Sequence, residues 1–167
     1  PAHRTQSARA ASTAQIPPFR EAATAEELLH AARQHALHGR WRDAAEACHS
    51  FERNYGDRKE VARVLPQMRL LCLKSLLRLG EQEQALPLFT QVQGLVETKH
   101  PSALGALLVQ KAICEWAVHG PAGSIPTLDS ALRLLGAGSP LSQDATLLLA
   151  EAHLHKKDHA LALTLLK

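Results

Sequence analysis

One short pattern recurs along the chain and constrains its fold more than any other sequence feature. The segment LHGRWRDAAEAC places Gly39 five residues before Ala44, and RLGEQEQALPLF places Gly80 five residues before Ala85. A glycine permits the tight reversal that ends one helix, and a small residue early in the next helix lets the two helices pack closely. The pattern therefore predicts successive helix-turn-helix hairpins.

Two further copies of the pattern are less regular. The segment LHKKDHALALTLL keeps the spacing to Ala162 but has Lys157 in place of the glycine. Around Gly120 the segment reads VHGPAGSIPTL, and Ile125 stands where the small residue belongs. We therefore expect the third turn to carry an insertion through residues 121–123.

Capping signals place the helix boundaries independently of the repeat. Thr24 and Glu27 form the capping-box pattern at the start of a first helix, and Ser139 followed by Pro140 is typical of another helix start. Pro87 should kink or delay the fourth helix, because proline lacks an amide proton and its ring clashes with the preceding turn. The predicted helices span about 25–38, 42–54, 64–79, 82–99, 103–119, 125–135, 141–156 and 159 onward.

The predicted helix over 64–79 is apolar on nearly every face, which is typical of an element covered on both sides. We expect it to form the centre of the core. The leucines expected to be buried there are Leu70, Leu73, Leu76 and Leu77.

Charge and hydropathy exclude several classes of protein. No apolar run approaches the roughly 20 residues that cross a bilayer. The net charge of +3 comes from Arg4, Arg9 and Arg20, because residues 1–20 contain no acid. A neutral body argues against nucleic-acid binding, which needs clustered cations; an RNA-binding helical repeat stays an alternative.

We expect residues 1–22 to form a flexible basic segment, with a transit-peptide remnant and a mitochondrial location as the alternative.

The repeated turns resemble those of the tetratricopeptide-repeat family over residues 24–167. Trp41 and Phe89 stand where that family often has aromatic residues, although the turn anchors lie 41, 40 and 37 residues apart and the family repeat is 34. The resemblance implies an all-α, right-handed solenoid of about four hairpins over 23–167. It also implies a non-catalytic adaptor or scaffold of an intracellular, cytoplasmic or nuclear multiprotein complex, without a cofactor.

In the family that the chain resembles, first helices line a concave face that holds an extended peptide or a partner helix. Counting back from each turn places four basic residues on that face, which would suit an acidic partner. They are Arg33, Lys74, Arg78 and Lys111.

A helical metal-dependent enzyme is the alternative from a different class. Three Glu-x-x-His pairs place both side chains on one helical face, as in di-iron bundles: Glu27/His30, Glu46/His49 and Glu97/His100. Random order already gives about 0.7 such pairs, so the excess is small. We interpret His153, His155 and His159 as solvated residues, and Cys48, Cys72 and Cys114 as buried apolar ones. We therefore expect no metal site and no catalytic residues.

The end of the sequence carries leucines on more than one side of a short final helix. Solenoids need a polar outer face on their last element. We therefore predict an open interface there, covered by a continuation of the chain or by another subunit. Its residues are Leu161, Leu163, Leu165 and Leu166.

Overall fold

The computed structural model describes residues 24–96, 101–136 and 138–167. Within these ranges the chain forms helices and no strand. Eight α-helices follow one another: α1 Ala25–Leu37, α2 Trp41–Tyr55, α3 Leu65–Leu79, α4 Gln82–Val96, α5 Pro101–His119, α6 Pro121–Leu134, α7 Pro140–His155 and α8 His159–Leu165. A short 3₁₀ turn, Lys59–Val61, lies between α2 and α3. The expectation for residues 1–22 lies outside the described residues.

Each helix packs chiefly against the next one along the chain, and α1 also touches α3. Helices α1 and α2, α3 and α4, α5 and α6, and α7 and α8 form four hairpins. We call α1, α3, α5 and α7 the first helices, and the others the second helices. Sequential packing of hairpins defines an α-solenoid, so the predicted fold class is confirmed.

The predicted turns adopt the left-handed backbone conformation. Gly39, Gly80 and Gly120 have φ of 72°, 75° and 82°, and Lys157 has φ of 64°. Glycine enters this region without steric cost, whereas Lys157 does so against its own Cβ. In the last hairpin the Lys157 amide donates to the Leu154 carbonyl at 2.9 Å, which helps to close the turn.

The expected insertion in the third turn is wrong. Pro121 is already the first residue of α6, and Gly120 is its N-cap. The other second helices begin two residues after the left-handed residue, so the third turn is one residue shorter than the others. Ser124 lies four residues after Gly120, the N-cap of α6, and is fully buried. Ala44 is likewise fully buried and lies four residues after Arg40, the N-cap of α2. Ser124, not Ile125, therefore occupies the close-packing position.

Two other helix starts and the predicted effect of Pro87 differ from the structure. Helix α5 begins at Pro101, two residues before the predicted start, and α6 begins four residues early. Helix α4 begins at Gln82 and continues through Pro87, so that proline does not delay the helix. Pro87 lies beyond the first turn, where neighbouring packing must compensate for the lost hydrogen bond. The predicted extension of α4 through 97–99 lies outside the described residues.

The buried residues form two clusters along the solenoid. The first gathers side chains of α1 to α4 with Cys114, and the second gathers those of α5 to α7. Half-buried Leu107 packs against both. Helix α3 contributes Leu73 and Leu76 to the first cluster, as predicted, but Leu70 is 46% exposed. The predicted burial of Leu70 is wrong because one face of α3 is left open.

Gly80 provides a test of the turn geometry. A Cβ added to Gly80 would meet no atom within 4 Å, so the cost of Gly80→Val comes from the backbone alone. We expect this variant to lose about 1–2 kcal/mol of unfolding free energy, and Lys157→Gly to gain about 1 kcal/mol. Urea denaturation measures both changes. Gly94→Ala, inside α4, is the control and should not destabilise; equal stability of Gly80→Val and the parent chain would contradict the turn geometry.

Candidate partner-binding site

One position recurs on all four first helices and faces solvent in each. In every hairpin it lies eight residues before the first residue of the second helix. Equivalent positions in successive repeats of a solenoid fall on the same side of the stack. All four residues are exposed, with Ile113 at 42%. We call this set the first-helix row: Arg33, Lys74, Ile113 and Glu151.

The Trp41 ring lies next to two cations, Lys74 of the row and Arg78 one turn further along α3. Lys74 Nζ lies 5.6 Å from the centre of the Trp41 ring, and Arg78 Cζ lies 5.7 Å from it. Both distances are within the range of a cation–π interaction. Because Trp41 is the first residue of α2, the turn at Gly39 positions this indole against α3. The structure thus brings together two of the four predicted site residues.

Arg33 contributes a third cation on the neighbouring first helix. Its Nη2 donates a hydrogen bond to Gln67 Oε1 of α3, which links the two first helices on their exposed side. Among the described residues, neither Arg33 nor Lys74 nor Arg78 forms a salt bridge. Their charge is therefore available to a ligand.

Lys111 differs from the other three predicted site residues. Its Nζ lies 3.6 Å from Glu115 Oε1, and the two side chains are only 25% and 15% exposed. Lys111 also lies two residues before Ile113, the row residue of its helix. Because the third turn is one residue shorter, the equivalent positions in the second and fourth hairpins are Cys72 and Leu149, and both are buried. Its position on the binding face stays a prediction, and its charge is already offset by Glu115.

A groove that the sequence analysis missed lies between α5 and α7. It has a volume of about 330 Å³, and its lining includes Ile113, Trp116, Leu148 and Glu151. The Trp116 ring meets the His155 ring edge to face, with 6.0 Å between their centres. Two residues of the first-helix row therefore line one apolar groove with an acid at its rim.

A second recurring position carries buried polar groups. His35, Glu115 and His153 each lie six residues before the first residue of the second helix. The side chains of His35 and His153 are 6% and 9% exposed, so the prediction that His153 is solvated is wrong. Burial and the nearby Arg40 lower the pKa of His35, which favours its neutral form. His155 and His159 are exposed, as predicted.

The metal hypothesis finds no support in the described ranges, where no group of His, Cys, Asp and Glu side chains is placed to hold a metal ion. The Thr24 amide donates to Glu27 Oε2 at 2.7 Å in the predicted capping box. Glu46 and His49 are exposed, and the pair Glu97/His100 lies outside the described residues.

The three cysteines are buried, as predicted. A hydrogen bond with Cys72 and burial raise the pKa of the Cys48 thiol well above its usual range. Burial likewise raises the pKa of Cys114. Neither thiol is activated for nucleophilic chemistry, because reactivity requires the thiolate.

The predicted C-terminal interface has three exposed leucines. Leu161, Leu163 and Leu166 are 40%, 61% and 52% exposed, whereas Leu165 is half-buried against the second core cluster. Leu165 and Leu166 also line a cleft with residues of α6 and α7. The role of these four residues as an interface stays a prediction.

Among the described helices, none combines the length and apolar character that a membrane span requires.

Comparison with known proteins supports the fold alone. No protein-family model matches the sequence, and no curated protein matches it. Among solved structures, the apo form of RapI, a helical repeat protein of the tetratricopeptide-like type, is similar to this chain with a TM-score of 0.61 at 13% identity. The match covers 84% of this chain and 52% of the RapI chain, so the chain spans about half the length of that protein. The chain thus has the fold of a helical repeat protein.

Proposed function

We propose that the chain is a non-catalytic adaptor or scaffold that binds another protein through its first helices, within an intracellular multiprotein complex. The observation that carries this proposal is the exposed cluster of Arg33, Lys74 and Arg78, which is free of salt bridges within the described part of the chain. A set of cations held on one side of a stack favours an acidic segment of a partner protein.

The geometry supports binding more than simple solvation of these cations. Two of them lie over the Trp41 ring and the third is bonded to Gln67, so their side chains are ordered before a ligand arrives. Pre-ordered side chains lose less entropy on binding. Aromatic residues and arginine are also the residues that carry most binding energy at protein interfaces.

A second contact is proposed at the far end of the stack. The exposed leucines of α8 offer an apolar surface to another subunit or to further residues of the same polypeptide. Burying one such leucine contributes roughly 1.5–3 kcal/mol. This surface would hold the chain in an assembly while the first helices bind the partner.

Charge reversal tests the proposed function. The triple variant Arg33→Glu, Lys74→Glu and Arg78→Glu should keep its helical circular dichroism and lose at least about tenfold in partner capture, because close charge pairs across an interface are worth more than 1.4 kcal/mol together. Partners are measured by quantitative mass spectrometry after affinity purification from the native source.

The matched control reverses three exposed cations elsewhere, Arg42, Arg53 and Lys59, which are not on first helices. It changes the net charge by the same amount. If both triple variants lose partner capture equally, the loss is caused by the change in net charge and not by the first-helix cations. Full capture by the first variant would show that the partner binds another face.

A further inference from the structure

We propose that the first-helix row binds an extended peptide segment that is acidic at one end, apolar in the middle and basic at the other end. This rests on the proposed function and specifies the chemistry of the partner. The juxtaposition that carries it is one exposed position that reads Arg33, Lys74, Ile113 and Glu151 along the stack.

The charged residues of two of the first helices, α3 and α7, follow the same order as the row. Helix α3 contains Arg69, Lys74 and Arg78 and no acid. Helix α7 contains Asp144 and Glu151 and no lysine or arginine, and both acids are exposed. A ligand with only acids or only bases would therefore be attracted at one end and repelled at the other.

The apolar middle of the row is built as a groove. Ile113 is 42% exposed, and Trp116, Leu128 and Leu148 line the same space of about 330 Å³. An opening of this size accepts one large aliphatic or aromatic side chain, which is the usual anchor of a peptide segment. Glu151 also lines that groove and is exposed, so a basic residue next to the anchor would meet a carboxylate.

The spacing of the row suits an extended segment. Among the first helices, α1 packs against α3, and α5 and α7 line one groove. Packed helices lie about 8–10 Å apart, which is about three residues of extended chain at roughly 3.3 Å each. Contacts to successive first helices would then fall on about every third residue of the ligand. The chain's own residues 1–20 do not fit, because they hold three arginines and no acid. A second copy of the chain is the remaining occupant that the experiment must separate.

Three synthetic peptides of about twelve residues, a length that covers the row, test this proposal; the first two have identical composition. The first has its acids at one end, leucine and tryptophan in the middle and its bases at the other end. The second has acids and bases interleaved around the same centre. The third keeps the charge order with serine in place of the apolar centre. Fluorescence anisotropy with the full chain should show the first peptide binding about tenfold more tightly than either of the others.

Variants of the acidic and apolar parts locate the binding. Glu151→Lys and Ile113→Glu should each weaken binding of the first peptide about tenfold, and Glu46→Lys, at an exposed site on α2, should leave it unchanged. Unfolding curves for each variant separate loss of binding from loss of fold. Light scattering during the titration shows whether a second copy occupies the face instead.

Equal affinity for all three peptides, or equal binding by Glu151→Lys and the parent chain, overturns the proposed order. Dimers that dissociate in Ile113→Glu would assign the face to a second copy and overturn it as well. The proposed function fails separately, through the triple reversal of Arg33, Lys74 and Arg78. If that reversal abolishes partner capture while the peptides show no preference, the adaptor function stands and the charge order fails.

Discussion

Replacing Phe51 by alanine is expected to lower the free energy of unfolding by about 3–5 kcal/mol. Phe51 lies on the inner face of α2, is fully buried in the first core cluster and packs 5.7 Å from the ring of Tyr55. Removing its ring leaves a cavity that surrounding helices cannot fill without moving. Urea denaturation followed by circular dichroism measures the loss.

Leu70→Ala is the matched control for Phe51→Ala. Leu70 lies on the neighbouring helix α3 but is 46% exposed. We expect the variant to cost less than about 1 kcal/mol, since little apolar surface is uncovered. Comparable losses for the two variants would mean that the open face of α3 is wrongly placed.

Lys111→Met is expected to cost about 2–3 kcal/mol, somewhat below the roughly 3–5 kcal/mol that follows when a fully buried ion pair is broken. The substitution leaves the Glu115 carboxylate without its cation. Glu115 Oε2 is already buried and has no hydrogen-bond partner, so the remaining negative charge has little compensation. The measurement is the midpoint and slope of urea unfolding at neutral pH and low salt.

The double variant Lys111→Met, Glu115→Leu tests the cause of that loss. Leu76 occupies the position equivalent to Glu115 in the second hairpin and is buried, so a leucine suits the site. We expect the double variant to recover most of the stability, because removing both charges removes the desolvation cost. If it is less stable than Lys111→Met, side-chain packing and not charge decides the site. Lys111→Glu is for the same reason unsuitable for mapping partner contacts.

The fold could be predicted from the turns because their chemistry is local. A left-handed residue followed by a small residue needs no knowledge of distant contacts, and Gly39, Gly80 and even Lys157 were placed correctly. The turn at Gly120 was also placed correctly, but its close-packing residue was not, because the prediction counted from the glycine. The helix N-cap sets the packing register instead, and in this hairpin Gly120 serves as both turn residue and N-cap.

The candidate site was only partly predictable, also because side-chain positions depend on helix register. Three of four basic residues were placed on an exposed first-helix position, since that follows from helical periodicity. The misplaced register of the third hairpin hid the fact that Ile113 shares this position with Arg33 and Lys74, and the search for basic residues passed over Glu151. Two contacts could not be predicted from the spacing of residues in the sequence. Trp41 contacts cations of the next helix, and Lys111 pairs with Glu115 of its own helix, and both contacts depend on side-chain conformation.

The division of the core into two clusters gives the molecule two parts that can open at different free energies. In stacked repeats each unit is stabilised mainly by its neighbours, so partial unfolding can begin at one end and stop at an internal boundary. Helix α5 carries that boundary here, through Leu107, which packs against both clusters, through Cys114, which is buried in the first, and through its contact with α4. Transient opening of α5 to α8 would release the apolar groove while the cations around Trp41 stay ordered. A ligand that spans both parts would slow amide hydrogen exchange in the second half of the chain, far from its strongest charge contacts.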